Sequence, residues 1–308
     1  MKNMMRSGRR GYARGFSLVE LMVSLVIGLV VVGAVLVSYI ASGQTNKRQA
    51  AYAEMNENAQ LAMSILQHDV LLAGYAQAIG ASAAAFNRTY SGNAVFGCDT
   101  GFTTPNTSGG MTSVDCAASG TPAIEINYES DITNSVPTGG GLPSDCLGIG
   151  LNEQTVNVTG AVITFNPSPP IATGNTTAFY VTRNRYYLAT GSTGRSELHC
   201  ASSRTPAQPG QPLVDNVEGI QIWYGEAGAD PRQIVRYVNA SGVNNWAKII
   251  SVRICLLMRS SEPLLTGEDV TAGMSGYLGC GSTAQTSADR YLRRAYFSTT
   301  TLRNKMAL

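Results

Sequence analysis

From Leu21 to Ile40 the chain offers no charged side chain and no polar face, only apolar residues with Ser24, Ser38 and Tyr39 among them. About 20 such residues in a helix cross a hydrocarbon core, so the run predicts a membrane span. One acid breaks the pattern at its start. Glu20 sits between Val19 and Leu21, and an ionised carboxylate in hydrocarbon costs on the order of 3 kcal/mol.

Farther on, the pattern becomes periodic. Tyr52, Met55, Ala59, Ala62, Leu66, Val70 and Ala73 recur every three or four residues, which predicts one apolar stripe on an amphipathic helix. Glu54, Glu57, Asn58, Gln60 and Gln67 lie mostly off it, and Gly74 is a fitting stop. No proline interrupts Phe16–Ala73, so a single helix is expected there, with Gly28, Gly33 and Gly43 as its soft points.

After Tyr75 the texture changes. Residues 76–121 are rich in Ala, Ser, Thr, Gly and Asn, and predict a long, partly irregular connection. Alternation of period two begins at 123–129, where Ile124, Ile126 and Tyr128 face one way and Glu125, Asn127 and Glu129 the other. Further strands are expected at Thr155–Val158, Ala161–Phe165, Ala178–Leu188, Val217–Tyr224 and Ile234–Val238. The clearest is 248–258, with Ile250, Val252, Ile254, Leu256 and Met258 toward the core and Ser251, Arg253 and Cys255 away from it. A last strand falls in 293–304, at an edge or beside that core strand. The glycines and prolines of 136–146 mark a loop; no strand, helix and Lys-Ser/Thr follow in the order a phosphate loop requires. A helix followed by strands predicts an α+β fold, an antiparallel β-sheet head packed on the long N-terminal helix.

Charge changes this picture in one place. The net charge of +2 hides a split. Lys2, Arg6, Arg9, Arg10 and Arg14 stand in the first fifteen residues with no acid, leaving 17 basic against 20 acidic residues beyond them. A basic segment before an apolar run holds that end in the cytoplasm. The acidic remainder makes nucleic acid an unlikely partner.

The six cysteines form no C-x-x-C pair, and there are two histidines, His68 and His199. That composition argues against a zinc site and for disulfides in an oxidising compartment. Fifteen connectivities are open; pairing of sequence neighbours, Cys98–Cys116, Cys146–Cys200 and Cys255–Cys280, is the one carried forward. His68 beside Asp69 and His199 beside Cys200 are expected to be solvated or structural, since neither belongs to a metal or nucleophile motif. Asp215, Glu218, Glu226 and Asp230 flank a strand and turn without EF-hand spacing. Trp223, Tyr224 and Trp246 read as sheet aromatics. No catalytic residue, metal site or cofactor is assigned, and no enzyme is expected.

The apolar segment admits three readings. A cleaved secretory signal would use Ala41-Ser42-Gly43 before Gln44, but its run exceeds the usual 7–15-residue core. A plain signal anchor explains the length and leaves Glu20 without a role. The stretch Gly15-Phe16-Ser17-Leu18-Val19-Glu20-Leu21, behind a basic leader and before an unbroken apolar helix, resembles the processing motif of type IV pilins and pseudopilins. That resemblance implies a prepilin peptidase cutting between Gly15 and Phe16 and N-methylating Phe16. The cut would create an α-ammonium at membrane depth, one helical turn from Glu20, and opposite charges there must pair or stay costly. The family implies that Glu20 pairs with the terminus of a neighbouring subunit, an assembly salt bridge that marks register.

Later segments resemble the PilW family of minor pilins: 55–75, Asp145–Gly148, Glu197–Cys200, Leu213–Gly225 and Arg293–Asn304. This resemblance implies a Cys146–Cys200 disulfide. It also implies a pilus subunit that helps start assembly near the tip with other minor pilins, the major pilin and the inner-membrane machinery. The expected divisions are a cleaved leader 1–15, a transmembrane and filament-core helix 16–41, its amphipathic continuation 42–75 and a periplasmic head 76–308. The expected location is the inner membrane, single-pass with the N-terminus cytoplasmic, and then the pilus at the cell surface. A type II secretion pseudopilin and a tip adhesin or binding subunit are the alternatives.

Overall fold

The computed structural model describes residues 15–76, 93–103, 115–157, 176–202 and 209–305. The chain divides into two compact units, Met1–Ala50 and Ala51–Leu308, and one helix, α1 (Leu18–Leu72), contributes to both.

In the first unit α1 is apolar on every side from Leu21 to Ile40, and none of its most hydrophobic stretch is buried. In the second unit the period of the sequence takes over. Ala51, Met55, Ala59, Ala62, Met63, Leu66, Asp69 and Val70 are buried along one face. Fully burying a side chain such as Leu66 contributes about 2 kcal/mol. Tyr52, expected on that stripe, is instead 38% exposed, because Ala51 occupies the buried edge one position earlier. The helix stops at Gly74, whose φ of +73° is open to glycine at little cost. Its freed carbonyls do not go unpaired: the Asn304 side-chain amide donates to the carbonyl of Leu71 at 3.1 Å and that of Leu72 at 3.3 Å.

The strands are β1 (Val95–Cys98), β2 (Ala123–Ser130), β3 (Glu153–Asn157), β4 (Thr176–Thr190), β5 (Ser196–Ser202) and β6 (Gln211–Asp215). They continue with β7 (Val217–Ala227), β8 (Ile234–Val238), β9 (Ile249–Arg259), β10 (Gly276–Leu278), β11 (Ala284–Thr286) and β12 (Arg293–Thr301), with a short helix α2 (Gly267–Thr271) after β9. β1 to β6 form one antiparallel sheet in the order β1-β2-β4-β5-β6, with β3 also on β4. A second antiparallel sheet runs β12-β9-β7-β8. Asn216, at φ +60°, turns β6 into β7 and so passes the chain from one sheet to the other. The α+β expectation holds, with two principal sheets in place of one.

The main core joins Met55, Leu66 and Val70 of α1 to Ile124 and Ile126 of β2, Ile222 and Tyr224 of β7, and Ile254 and Leu256 of β9. A smaller cluster of Cys98, Phe102, Ala123, Tyr187 and Ala201 lies apart from it. That cluster belongs with a correction: every residue of β2 is buried, including Glu125, Asn127 and Glu129. Likewise Ser251 and Cys255, on the face of β9 expected to point away from the core, are buried, whereas Arg253 is exposed.

Within 76–121, read as irregular, β1 forms and pairs with β2. Gly97 is required there, because a Cβ would collide with the Tyr224 hydroxyl. The sequence pattern predicts neither β5 nor β6. β4 and β7 extend beyond their expected ends, and β12 takes the edge beside β9. The expected strand Ala161–Phe165 lies outside the described residues.

Candidate functional site

Gly15 and Phe16 precede the first turn of α1, and Glu20 stands within it. The turn begins with the Leu21 amide donating to the Ser17 carbonyl at 3.1 Å. A Cβ on Gly15 would meet nothing within 4 Å, and Phe16 is 79% exposed. Leu18, Leu25, Leu29, Val32 and Leu36 are likewise exposed around the helix. Helices do not hold that much apolar surface in water; it belongs in lipid or against other helices. Among the described residues, this helix is the one long and apolar enough to span a bilayer.

The second place where side chains converge is in the head. Asp69 is 4% exposed. One carboxylate oxygen accepts from the Tyr128 hydroxyl at 3.0 Å; the other accepts from the Asn184 amide at 2.6 Å and the Tyr186 hydroxyl at 2.6 Å. Burial and the adjacent Asp69 carboxylate push the Tyr128 and Tyr186 phenols far above their usual range, so both remain donors. His68, one residue earlier, reaches Asp69 with Nδ1 at 3.4 Å, and that contact raises its imidazole pKa. The sequence predicts a solvated or structural role for His68 beside Asp69. A signal was present: Ala62, Leu66, Asp69 and Ala73 share the helical stripe, and a carboxylate on a buried face needs donors.

A cavity of about 430 Å³ opens beside this network, between α1 and the 131–150 loop. Asp145 helps line it and accepts from the amides of Leu147 at 2.8 Å and Ile149 at 3.0 Å. Cys146, also at the wall, is joined to Cys200 of β5. The other bonds are Cys98–Cys116, closing the loop after β1, and Cys255–Cys280, tying β9 to the chain before β11.

The remaining candidates are dispersed. His199 lies 3.3 Å from Glu197. Glu218 and Asp289 bracket the Arg293 guanidinium, whose charge holds the Asp289 carboxyl well below the usual carboxylate range. Glu226 accepts from Arg236, and Asp230 from the Arg232 amide. Those acids are not brought together, and no group of three or more His, Cys, Asp or Glu side chains suited to a metal occurs among the described residues. Tyr224 and Trp246 pack edge to face at 4.8 Å.

Residues 10–36 match the prokaryotic N-terminal methylation motif. Residues 185–304, from β4 through β12, match the family of type IV pilus-assembly protein W, PilW. The two matches together support a PilW-like type IV minor pilin. No curated protein matches it. Among solved structures it is similar to the type IV-like pilin TTHA1219 from Thermus thermophilus, at 13% identity and a TM-score of 0.36, over 82% of this chain and 98% of that one. The methylation motif and the apolar helix fit a membrane-anchored pilus subunit, and the motif implies processing and assembly with other pilins.

Proposed function

We propose that this pilin helps initiate type IV pilus assembly and is incorporated near the tip with other minor pilins. A prepilin peptidase removes residues 1–15 and N-methylates Phe16. Residues 16–41 then hold the subunit in the inner membrane, N-terminus in the cytoplasm, and later form filament core; 42–75 carry the helix into a periplasmic head. Extraction toward the major pilin is driven by the inner-membrane machinery. The observation that carries this reading is the helix itself: exposed and apolar all round, with one acid in its first turn behind a Gly-Phe junction.

The chemistry is that of assembly. Leaving lipid forfeits no apolar burial if the same surface packs on neighbouring helices. A charge pair between Glu20 and a neighbour's Phe16 ammonium would fix the register of that packing, as one buried polar residue fixes a coiled coil. Intact-mass measurement on membrane-extracted protein tests the first step: it should show loss of Met1–Gly15 and one added methyl group. An uncut leader would refute the reading. Deleting the chain should abolish or reduce piliation; normal but non-adherent pili would point to an adhesin instead.

A further inference from the structure

We infer that β12 is an addition site for an extended, acidic segment of another pilin subunit, which pairs along its outer edge as β9 pairs along its inner one. The class of partner rests on the assembly role proposed above; the chemistry of the edge rests on the strand itself.

The register of β12 on β9 shows which backbone groups are free. The Leu302 amide donates to the Ile250 carbonyl at 2.8 Å, and the Ser251 hydroxyl donates to the Thr300 carbonyl at 3.1 Å. Bonded and non-bonded pairs alternate along an antiparallel ladder. Tyr296, Ser298 and Thr300 therefore turn their backbone groups to β9, and Ala295, Phe297, Thr299 and Thr301 turn theirs outward. Among the described residues nothing bonds to those outward groups. At the other end Tyr277 of β10 lies beside Arg293, so the open stretch begins at Ala295.

Such an edge invites another strand, and proteins usually blunt it with a short strand, a bulge, a proline or a lysine. The other outer strands of the two principal sheets have such devices. β1 has four residues and β3 five. β6 has five, with Pro212 among them and a register shift against β5; β8 has five and a register shift against β7. β12 has nine residues in continuous register with β9, and no Pro, Gly or Lys. Its run Thr299–Thr301 favours extended backbone. A long, regular, undefended edge is complementary to a strand that completes the ladder.

The side chains say what kind of strand. Phe297 is 53% exposed next to the outward groups. Arg294 of β12, Arg253 of β9 and Arg303 after β12 are exposed, and none of the three meets a carboxylate among the described residues. Arg293, by contrast, is taken up by Glu218 and Asp289. The edge thus matches a segment with an apolar residue for Phe297 and an acid for the arginines. A second copy of β12 repeats the arginines and has no acid, so the match is to a different segment.

The test places p-benzoylphenylalanine at Phe297 of the full-length chain in piliated cells. The expected adduct joins another pilin through a peptide containing Asp or Glu. The Thr299 amide is not used by β9, so a proline is tolerated there yet blocks a partner strand. Thr299→Pro should lower the yield about tenfold, the loss expected from one or two backbone hydrogen bonds. Arg294→Glu should lower it about fivefold, and changing the partner's acid to Lys should restore it. The Arg294 exchange decides the matter by itself where the proline variant does not accumulate. Processed, piliated cells in which Phe297 cross-links no other pilin, or only its own chain, would overturn the inference. So would an adduct through a peptide without an acid, or one whose yield survives Thr299→Pro or Arg294→Glu. Unprocessed chain and absent pili would instead count against the assembly role itself.

Discussion

Arg185 and Glu125 face each other at one position of the β2–β4 register, Nε 2.7 Å from Oε2, and neither side chain reaches solvent. Arg183 lies 3.4 Å from the same carboxylate, the Asn127 amide donates to it, and the Arg185 guanidinium stacks 4.5 Å from the Phe102 ring centroid. Removing one member of such a pair strands the other in a low-dielectric interior. Arg185→Leu or Glu125→Leu alone should therefore destabilise the head by about 3–5 kcal/mol, whereas the double apolar variant should recover much of that loss. Denaturant titration of the four proteins checks the cycle; additive single losses would show that the two side chains act independently.

The Asp69 network predicts a smaller effect with a defined location. Tyr186→Phe removes a hydroxyl that donates to a buried carboxylate, at an expected cost of about 1.5–3 kcal/mol. Tyr128→Phe, at the longer 3.0 Å contact, should cost less. A thermal melt of each variant ranks them, and equal losses would contradict the geometry.

His68 gives the network a pH signature. Its folded pKa is raised by Asp69. The stability it contributes is thus fully present below its unfolded value of about 6.5 and is lost as pH rises through the folded pKa. Because the ring is half in solvent, the contribution is small. NMR titration should place the His68 midpoint above about 6.5, and His68→Gln should flatten the fall in melting temperature on passing to alkaline pH.

The disulfides should differ in weight by loop length. Cys146–Cys200 closes 54 residues, against 25 for Cys255–Cys280 and 18 for Cys98–Cys116. The chain-entropy relation gives about 4 kcal/mol for the longest and about 3 for the others. Paired Cys→Ser variants measured under oxidising conditions should follow that order, with the Cys146/Cys200 variant least stable.

Several of these relationships were legible in the sequence and others were not, for physical reasons. The head half of α1 announces itself because one face meets the core and the period survives, and β9 because its apolar residues alternate, although Ser251 and Cys255 of its second face are buried as well. Glu125, Asn127 and Glu129 alternate like a solvated face, yet they are buried. Their cover includes Phe102, and the arginines that meet Glu125 lie some 60 residues away on β4. Pairing at that distance leaves no local period. β1 has four residues, too few to alternate, and exists through its register with β2. Asp69 was readable as an acid on an apolar stripe, but its donors Tyr128, Asn184 and Tyr186 come from two strands that only the fold brings together. The anchor segment needed no such assembly, since its signal is local and consecutive.

That segment carries the sharpest functional prediction. Glu20 is the one acid in the apolar stretch of α1, four residues after Phe16. If its role is to meet a neighbour's terminal ammonium, Glu20→Ala removes a partner needed only after the leader has gone. The variant should be cut after Gly15 nearly as well as the parent, stay in the membrane, and enter pili poorly. Glu20→Gln, matched in shape and without the charge, should be impaired as well, which separates electrostatics from packing. Quantitative immunoblots of membrane and sheared-pilus fractions, with intact-mass confirmation of cleavage, measure both steps. Normal entry of Glu20→Ala into pili would remove the charge pair from the mechanism, and failure of cleavage would move Glu20 from assembly to peptidase recognition.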